Sequence, residues 1–127
     1  MKDIDYFEAR IDAAKCVTDR GMLQQFSLAF GFPDDFPSST NYSAILGDFI
    51  TDLSWIKQRN FKLLVGNARK FEKLDSNEQQ KLLRQLCYIR EHWSEKRRMG
   101  KDNSKNEFLI EFETCLWHPE LRYDMFQ

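Results

Sequence analysis

Alternating apolar and polar residues predict two strands, and a continuous apolar run predicts a third. In residues 6–12 apolar side chains alternate with charged ones, as in a half-buried strand. Residues 61–65 form a short apolar run that is typical of a strand buried on both faces, and we expect this strand to be central. Alternation returns in residues 108–112 and predicts a last strand.

Apolar residues at steps of three and four predict helices between these strands. The first helix begins after a capping residue at Thr18 or Asp19 and ends at Gly31. The second begins near Asn41 and carries its apolar stripe through Leu53. Its outer side is acidic, because a separate stripe holds the following residues: Ala44, Asp48 and Asp52.

A short helical turn is predicted over residues 69–74, and the longest helix follows it. Ser76 and Gln79 have the spacing of a capping box, so this helix is expected to run from Ser76 to about Arg98. Its predicted buried stripe is Leu82, Leu86, Ile89 and Trp93. A separate face holds Arg84, Tyr88, Glu91 and Glu95.

This order of elements predicts the fold class. Strands separated by helices favour parallel pairing through right-handed crossovers. We therefore expect an α/β fold in which a three-stranded parallel sheet packs with about four helices. A single domain is predicted over residues 1–127, with its core in about 6–113 and a C-terminal extension at 114–127 that packs on the body.

Composition narrows the function classes. The hydrophobic content of 42% supplies a core, while the net charge of −1 argues against a strongly basic nucleic-acid binder. Three widely spaced cysteines give no disulfide framework or metal motif. No apolar run is long enough to span a membrane, so we expect a cytoplasmic protein.

The near-neutral charge hides two opposed blocks. Residues 21–56 contain no lysine or arginine and four aspartates, whereas residues 57–105 contain 14 basic and six acidic residues. An uncompensated acidic segment is suited to a cationic partner surface, or it simply faces water. The cluster Lys96–Lys105 is either a solvated helix end or, as an alternative function, the contact surface of a nucleic-acid-binding regulator.

Catalytic and metal chemistry has little support in the sequence. His92 and His118 lack ligand spacing, no known nucleophile or phosphate-loop motif occurs, and Cys87 lies beside a buried stripe. We expect no cofactor and no enzyme activity. A small hydrolase that uses Asp48 and Glu91 as acid and base is a weaker alternative.

Three motifs resemble the barstar family. The run FPDDF at 32–36 leads to SAILGDFITDLSW at 43–55, and IREHW follows at 89–93 in the long helix. The resemblance covers about residues 6–113. It implies a barstar-like fold and an intracellular inhibitor that plugs the active site of a bacterial ribonuclease with carboxylates on a helix and its adjoining loop.

The resemblance also implies which residues bind. Asp48 matches the family's central inhibitory aspartate, Glu91 matches a flanking glutamate, and Phe36 matches a loop aromatic. Ala44 and Gly47 stand where the family usually has aspartate and tryptophan, so the surface differs from that of barstar. The expected partner-binding residues are Asp34, Asp35, Phe36, Asn41, Tyr42, Ala44, Gly47, Asp48, Asp52 and Glu91.

Ordinary structural roles stay open for these residues. Asp48 and Asp52 also fit a solvated helix face, and Tyr42 fits the core. Glu91 also fits an ion pair with Arg84 or Arg98. Asp34, Asp35 and Phe36 also fit a role in shaping the loop.

The expected function is that of an immunity protein. The predicted partner is a cognate toxin ribonuclease or related nuclease, bound by a monomer in a 1:1 complex. We expect no direct contact with nucleic acid and no contact with membrane.

Overall fold

The computed structural model describes residues 6–33, 41–99 and 107–113 of the 127-residue chain, with side chains up to residue 94 in the last helix. Within these ranges the chain forms three strands, four α-helices and a short 3-10 helix at Ala13–Lys15. The strands are β1 (Tyr6–Asp12), β2 (Asn60–Gly66) and β3 (Phe108–Phe112). The helices are α1 (Asp19–Phe30), α2 (Tyr42–Ile50), α3 (Ala68–Glu72) and α4 (Ser76–Met99).

The three strands form one parallel sheet in the order β1-β2-β3, which confirms the predicted fold class and the central position of β2. Leu63 of β2 pairs with Ala9 of β1 and with Ile110 of β3. Right-handed crossovers that advance in one direction place their helices on one face of a sheet. The buried residues accordingly alternate along the strands, among them Ile11, Leu63 and Phe108.

The prediction that β2 is buried on both faces is wrong. Its second face carries Lys62 and Leu64, which are only half-buried. The one-directional strand order leaves this face without a described helix, and an ion pair between Lys62 and Glu111 crosses it with a distance of 3.6 Å. Arg10 and Glu113 form a second ion pair there, at 2.9 Å.

Helix α1 begins and ends as the sequence predicts. The Thr18 hydroxyl accepts a hydrogen bond from the backbone N–H of Gly21 at 3.0 Å and caps the first turn. Gly31 ends the helix in the left-handed conformation, with φ 65°, which a glycine adopts without steric cost. The aromatic side chains that this helix buries, Phe26 and Phe30, are no more than 1% exposed.

Helix α2 begins after Asn41, as predicted, but it ends one turn early. Asn41 Oδ1 accepts a hydrogen bond from Ala44 N at 3.2 Å, while Leu53 lies outside the helix with φ 53°. The left-handed conformation costs about 1–2 kcal/mol for a residue with a Cβ atom. Leu53 is 2% exposed, and burying a leucine side chain contributes about 1.5–3 kcal/mol, which offsets that cost. Helical spacing therefore identified a core residue and assigned it the wrong backbone conformation.

Helix α4 has the predicted length and buried stripe, but a different cap. Asp75 Oδ1 accepts a hydrogen bond from Glu78 N at 2.9 Å, so the capping box predicted at Ser76 is wrong. Gln79 instead donates its side-chain amide to three carbonyl groups around the end of α3, and thereby ties α3 to α4. The predicted stripe is 0–3% exposed: Leu82, Leu86, Ile89 and Trp93.

Candidate functional site

The outward side of α2 presents the central predicted contact residue. Asn41, Ala44 and Asp48 are all exposed, and their spacing of three and four residues places them on one stripe of the helix surface. No described residue forms an ion pair with Asp48. This carboxylate therefore faces solvent in a segment that contains no lysine or arginine.

Two tryptophan side chains fix the position of α2. Trp93 of α4 donates its indole N–H to the Ile50 carbonyl at 3.1 Å, within the core. Trp55, in the turn after α2, donates to the Phe30 carbonyl at the end of α1 at 2.9 Å. Both bonds satisfy carbonyl groups near helix ends that have no partner inside their own helix. The carboxylate of Asp48 is thus displayed on a helix that is anchored near its C-terminal end.

Helix α4 contributes the second predicted carboxylate. Glu91 is exposed, and no described residue forms an ion pair with it. The ion pairs of the described residues therefore do not support the alternative in which Glu91 pairs with Arg84. The other alternative partner, Arg98, has its side chain outside the described part of the chain. Tyr88 lies three residues before Glu91 on the same helix face and is 41% exposed.

Gly47 is where α2 approaches α4. A Cβ atom at Gly47 would lie 3.9 Å from Cε1 of Tyr88, which is ordinary van der Waals contact. Packing within the chain therefore does not require a glycine here. This approach brings α2 next to the face of α4 that carries Glu91, and we call Gly47, Asp48, Tyr88 and Glu91 the α2–α4 patch.

Other predicted residues have local structural roles. Asp52 is exposed and lies two residues beyond the end of α2, and its Oδ2 accepts a hydrogen bond from Ser54 at 3.1 Å. Tyr42 is half-buried and packs against the core, as its alternative role predicted. Asn41 caps α2. The loop residues Asp34, Asp35 and Phe36 lie outside the described residues, as do His118, the tail 114–127 and the side chains of the basic cluster.

An open cleft of about 590 Å³ lies beside α1. Its lining includes Lys15, Arg20 and Tyr42 but no carboxylate. The acid–base pair of the hydrolase alternative, Asp48 and Glu91, therefore does not line this cleft. Among the described residues, no group of three or more histidine, cysteine, aspartate or glutamate side chains is placed to hold a metal ion.

The described cysteines are core residues. Burial raises the pKa of the Cys16 thiol to about 12, and Asp12 adds to the effect. Burial also raises the pKa of Cys87, which is 1% exposed. A thiol that resists ionisation is a poor nucleophile, so the core role predicted for Cys87 is supported.

Sequence reasoning placed Tyr88 on an outer face of α4 but did not include it in the binding site. The sequence feature that could have identified Tyr88 as a binding residue is its position three residues before Glu91, on a helix face that otherwise carries charged residues. Its contact with Gly47 depends on how α2 and α4 pack, which periodicity within one helix does not give.

Comparison with known proteins gives one family match. A family model described as Barstar (barnase inhibitor) matches residues 6–113, which is most of the chain. The searches of curated proteins and of solved structures found no match to the chain. Among the described residues, no helix has the length and hydropathy needed to cross a membrane.

Proposed function

This chain belongs to the barstar family of ribonuclease inhibitors, and from that premise we propose that it is an immunity protein. Its partner is a cognate bacterial ribonuclease, or a related nuclease toxin, in the cytoplasm of the same cell. The protein binds this toxin as a monomer in a 1:1 complex and covers its active site. It needs no cofactor and makes no direct contact with nucleic acid or membrane.

The observation that carries this proposal is the exposed carboxylate of Asp48. It lies on a helix held by buried contacts, and no described cation pairs with it. A nuclease active site must attract phosphate groups, so it presents cationic side chains. A carboxylate fixed in advance on a folded helix competes for those cations with little loss of conformational freedom on binding.

The two carboxylates have different roles in the proposed complex. Asp48 enters the cationic centre of the active site, where water is excluded and a charge pair is strong. Glu91 lies on the flank, on the helix α4 that Gly47 of α2 approaches. The family resemblance implies that the loop residues Asp34, Asp35 and Phe36 also contact the partner.

The test compares two variants that lose the same charge. The partner is captured from a lysate of the source cell, identified by mass spectrometry and purified, and its dissociation constant is measured for wild type, Asp48→Ala and Glu8→Ala. Glu8 is an exposed acid on β1, so it controls for net charge alone. We expect Asp48→Ala to weaken binding by about 30-fold or more, the size of an interface hot spot.

Glu8→Ala should change the affinity less than about threefold, because it removes only a remote charge. The ribonuclease activity of the partner should fall as wild-type protein is added, and the fall should be complete at a 1:1 molar ratio. Equal effects of the two variants would contradict the role of Asp48, and a captured partner without nuclease activity would contradict the proposed function.

A further inference from the structure

Tyr88 is an exposed aromatic ring beside two carboxylates. Among the described residues, three large hydrophobic side chains are exposed: Leu28, Tyr88 and Leu109. Of these, Tyr88 is the one that Gly47, the residue before Asp48, approaches, and Glu91 lies three residues after Tyr88 on the same helix. An aromatic ring in this position combines an apolar face with nearby negative charge.

Gly47 adds no side chain next to the Tyr88 ring. A Cβ atom at position 47 would lie 3.9 Å from Cε1 of Tyr88, so a side chain there would begin in van der Waals contact with the ring. Because glycine costs about 1 kcal/mol relative to alanine inside a helix, its presence in α2 disfavours folding without relieving a clash.

The charges around the ring select the ligand. Glu91 lies one helical turn beyond Tyr88 on the same face of α4, and Asp48 is the neighbour of Gly47 on α2, so the residues on both sides of the approach of Gly47 to Tyr88 include a carboxylate. Arg84 lies one turn before Tyr88 on that face, and His92 packs with a ring-centroid distance of 6.4 Å. The acidic neighbours of Tyr88 are therefore Asp48 and Glu91, and its basic neighbour, Arg84, lies one turn away in the opposite direction along α4.

We propose that the α2–α4 patch is an arginine-binding contact, in which Tyr88 stacks on a guanidinium group of the partner while Glu91 accepts its hydrogen bonds and the charge of Asp48 strengthens the attraction. The inference rests on the proposed function and names the chemistry by which the patch recognises a partner. A guanidinium group is planar, stacks on aromatic rings and forms paired hydrogen bonds with carboxylates, whereas an ammonium group acts as a point charge.

The first experiment uses peptides in place of the partner. Protein with ¹³C-labelled tyrosine rings is titrated with hexa-arginine, hexa-lysine and hexa-glutamate, and the ring signals of its four tyrosines are followed by NMR. We expect hexa-arginine to shift the Tyr88 signals at a concentration several-fold lower than hexa-lysine does, and hexa-glutamate to leave them unchanged. The shift should weaken in Asp48→Asn and in Glu91→Gln. Unmoved Tyr88 signals, or equal responses to arginine and lysine, would overturn the proposal.

The second experiment separates this inference from the proposed function. Binding of the purified partner ribonuclease is compared for wild type, Tyr88→Leu, Tyr88→Phe and Leu109→Ala. Leu109 is 40% exposed on β3, nearly matching the 41% of Tyr88, and it lies on the sheet face without a described helix. Tyr88→Leu should weaken binding about tenfold, Tyr88→Phe should keep most of the affinity, and Leu109→Ala should bind as wild type does.

The outcomes fall into distinct classes. Tight ribonuclease binding that Tyr88→Leu leaves unchanged would refute the arginine contact and keep the inhibitor function. A Tyr88 response to hexa-arginine in a protein that inhibits no ribonuclease would keep the contact and refute the function. Thermal unfolding of each variant shows whether a loss of binding comes from a loss of folding.

Discussion

Replacing Gly47 with alanine should make the protein more stable. The substitution exchanges the poorest ordinary helix former for the best at an interior position of α2, a difference of about 1 kcal/mol. The new methyl group meets Cε1 of Tyr88 at 3.9 Å, so no atom has to move. Gly47 is half-buried, and partial burial of a methyl group adds a few tenths of a kcal/mol. We therefore expect a gain of about 1–1.5 kcal/mol in the free energy of unfolding.

Gly21→Ala is the matched control, because the same substitution in α1 should have the opposite sign. A Cβ atom at Gly21 would lie 2.4 Å from the carbonyl oxygen of Lys15 and 3.0 Å from the capping hydroxyl of Thr18. The first contact involves backbone, which cannot rotate away. Overpacking of this kind costs about 1–3 kcal/mol and is offset by a helix-propensity gain of about 1 kcal/mol, so a net loss of up to about 2 kcal/mol is expected.

Urea and thermal unfolding followed by circular dichroism measure both changes. For a chain of this length, the expected gain for Gly47→Ala corresponds to a rise of about 4 °C in Tm. If the arginine contact is correct, the same variant should bind the partner ribonuclease less tightly, because the methyl group approaches the Tyr88 ring. Destabilisation by Gly47→Ala, or equal effects of the two substitutions, would refute the packing described for α2 and α4.

Three further predictions concern the anchoring of α2 and the response to pH. Trp93→Phe should lower the free energy of unfolding by about 1–3 kcal/mol in urea titrations, since it leaves the Ile50 carbonyl buried without its donor. The hydrogen bond and charge of Arg10 lower the pKa of Glu113, so the stability from this pair is present above the ordinary pKa and is lost as pH falls through the lowered value. Arg10→Gln should therefore show a weaker loss of stability than wild type between about pH 6 and about pH 2. Because burial raises the pKa of Cys16 to about 12, stability should decrease as pH rises from about 9 toward 12, and Cys16→Ala should show a smaller decrease than wild type.

Hydrophobic periodicity predicted the strands and the fold class because each element buries one face against a common core. It failed where a buried side chain belongs to an irregular backbone. Leu53 continues the apolar spacing of α2, yet its φ of 53° places it in the turn after the helix. A pattern of buried positions indicates which side chains face the core. It does not show whether such a side chain belongs to the last turn of a helix or to a residue with a left-handed backbone after the helix.

Sequence reasoning predicted which residues are exposed on one helix face, but it did not predict where two helices approach each other. Helical spacing was enough to expect Asp48 on the exposed side of α2 and Glu91 on the exposed side of α4, and both are exposed. The contact between Gly47 and Tyr88 depends on the distance and rotation of two helices that lie 41 positions apart in the chain at this point. No local pattern encodes that distance.

The way α2 is anchored explains how its outer face can remain acidic. A helix of nine residues is too short to be stable in water by itself, so tertiary contacts must hold it. Leu46 and Ile50 are 0% exposed, and Trp93 bonds to the Ile50 carbonyl from the core side. Because these contacts lie on the inner face, stability does not depend on cations that neutralise Asp48. Substitutions at the exposed positions Ala44 and Asp48 should therefore leave the contacts that hold the helix in place unchanged.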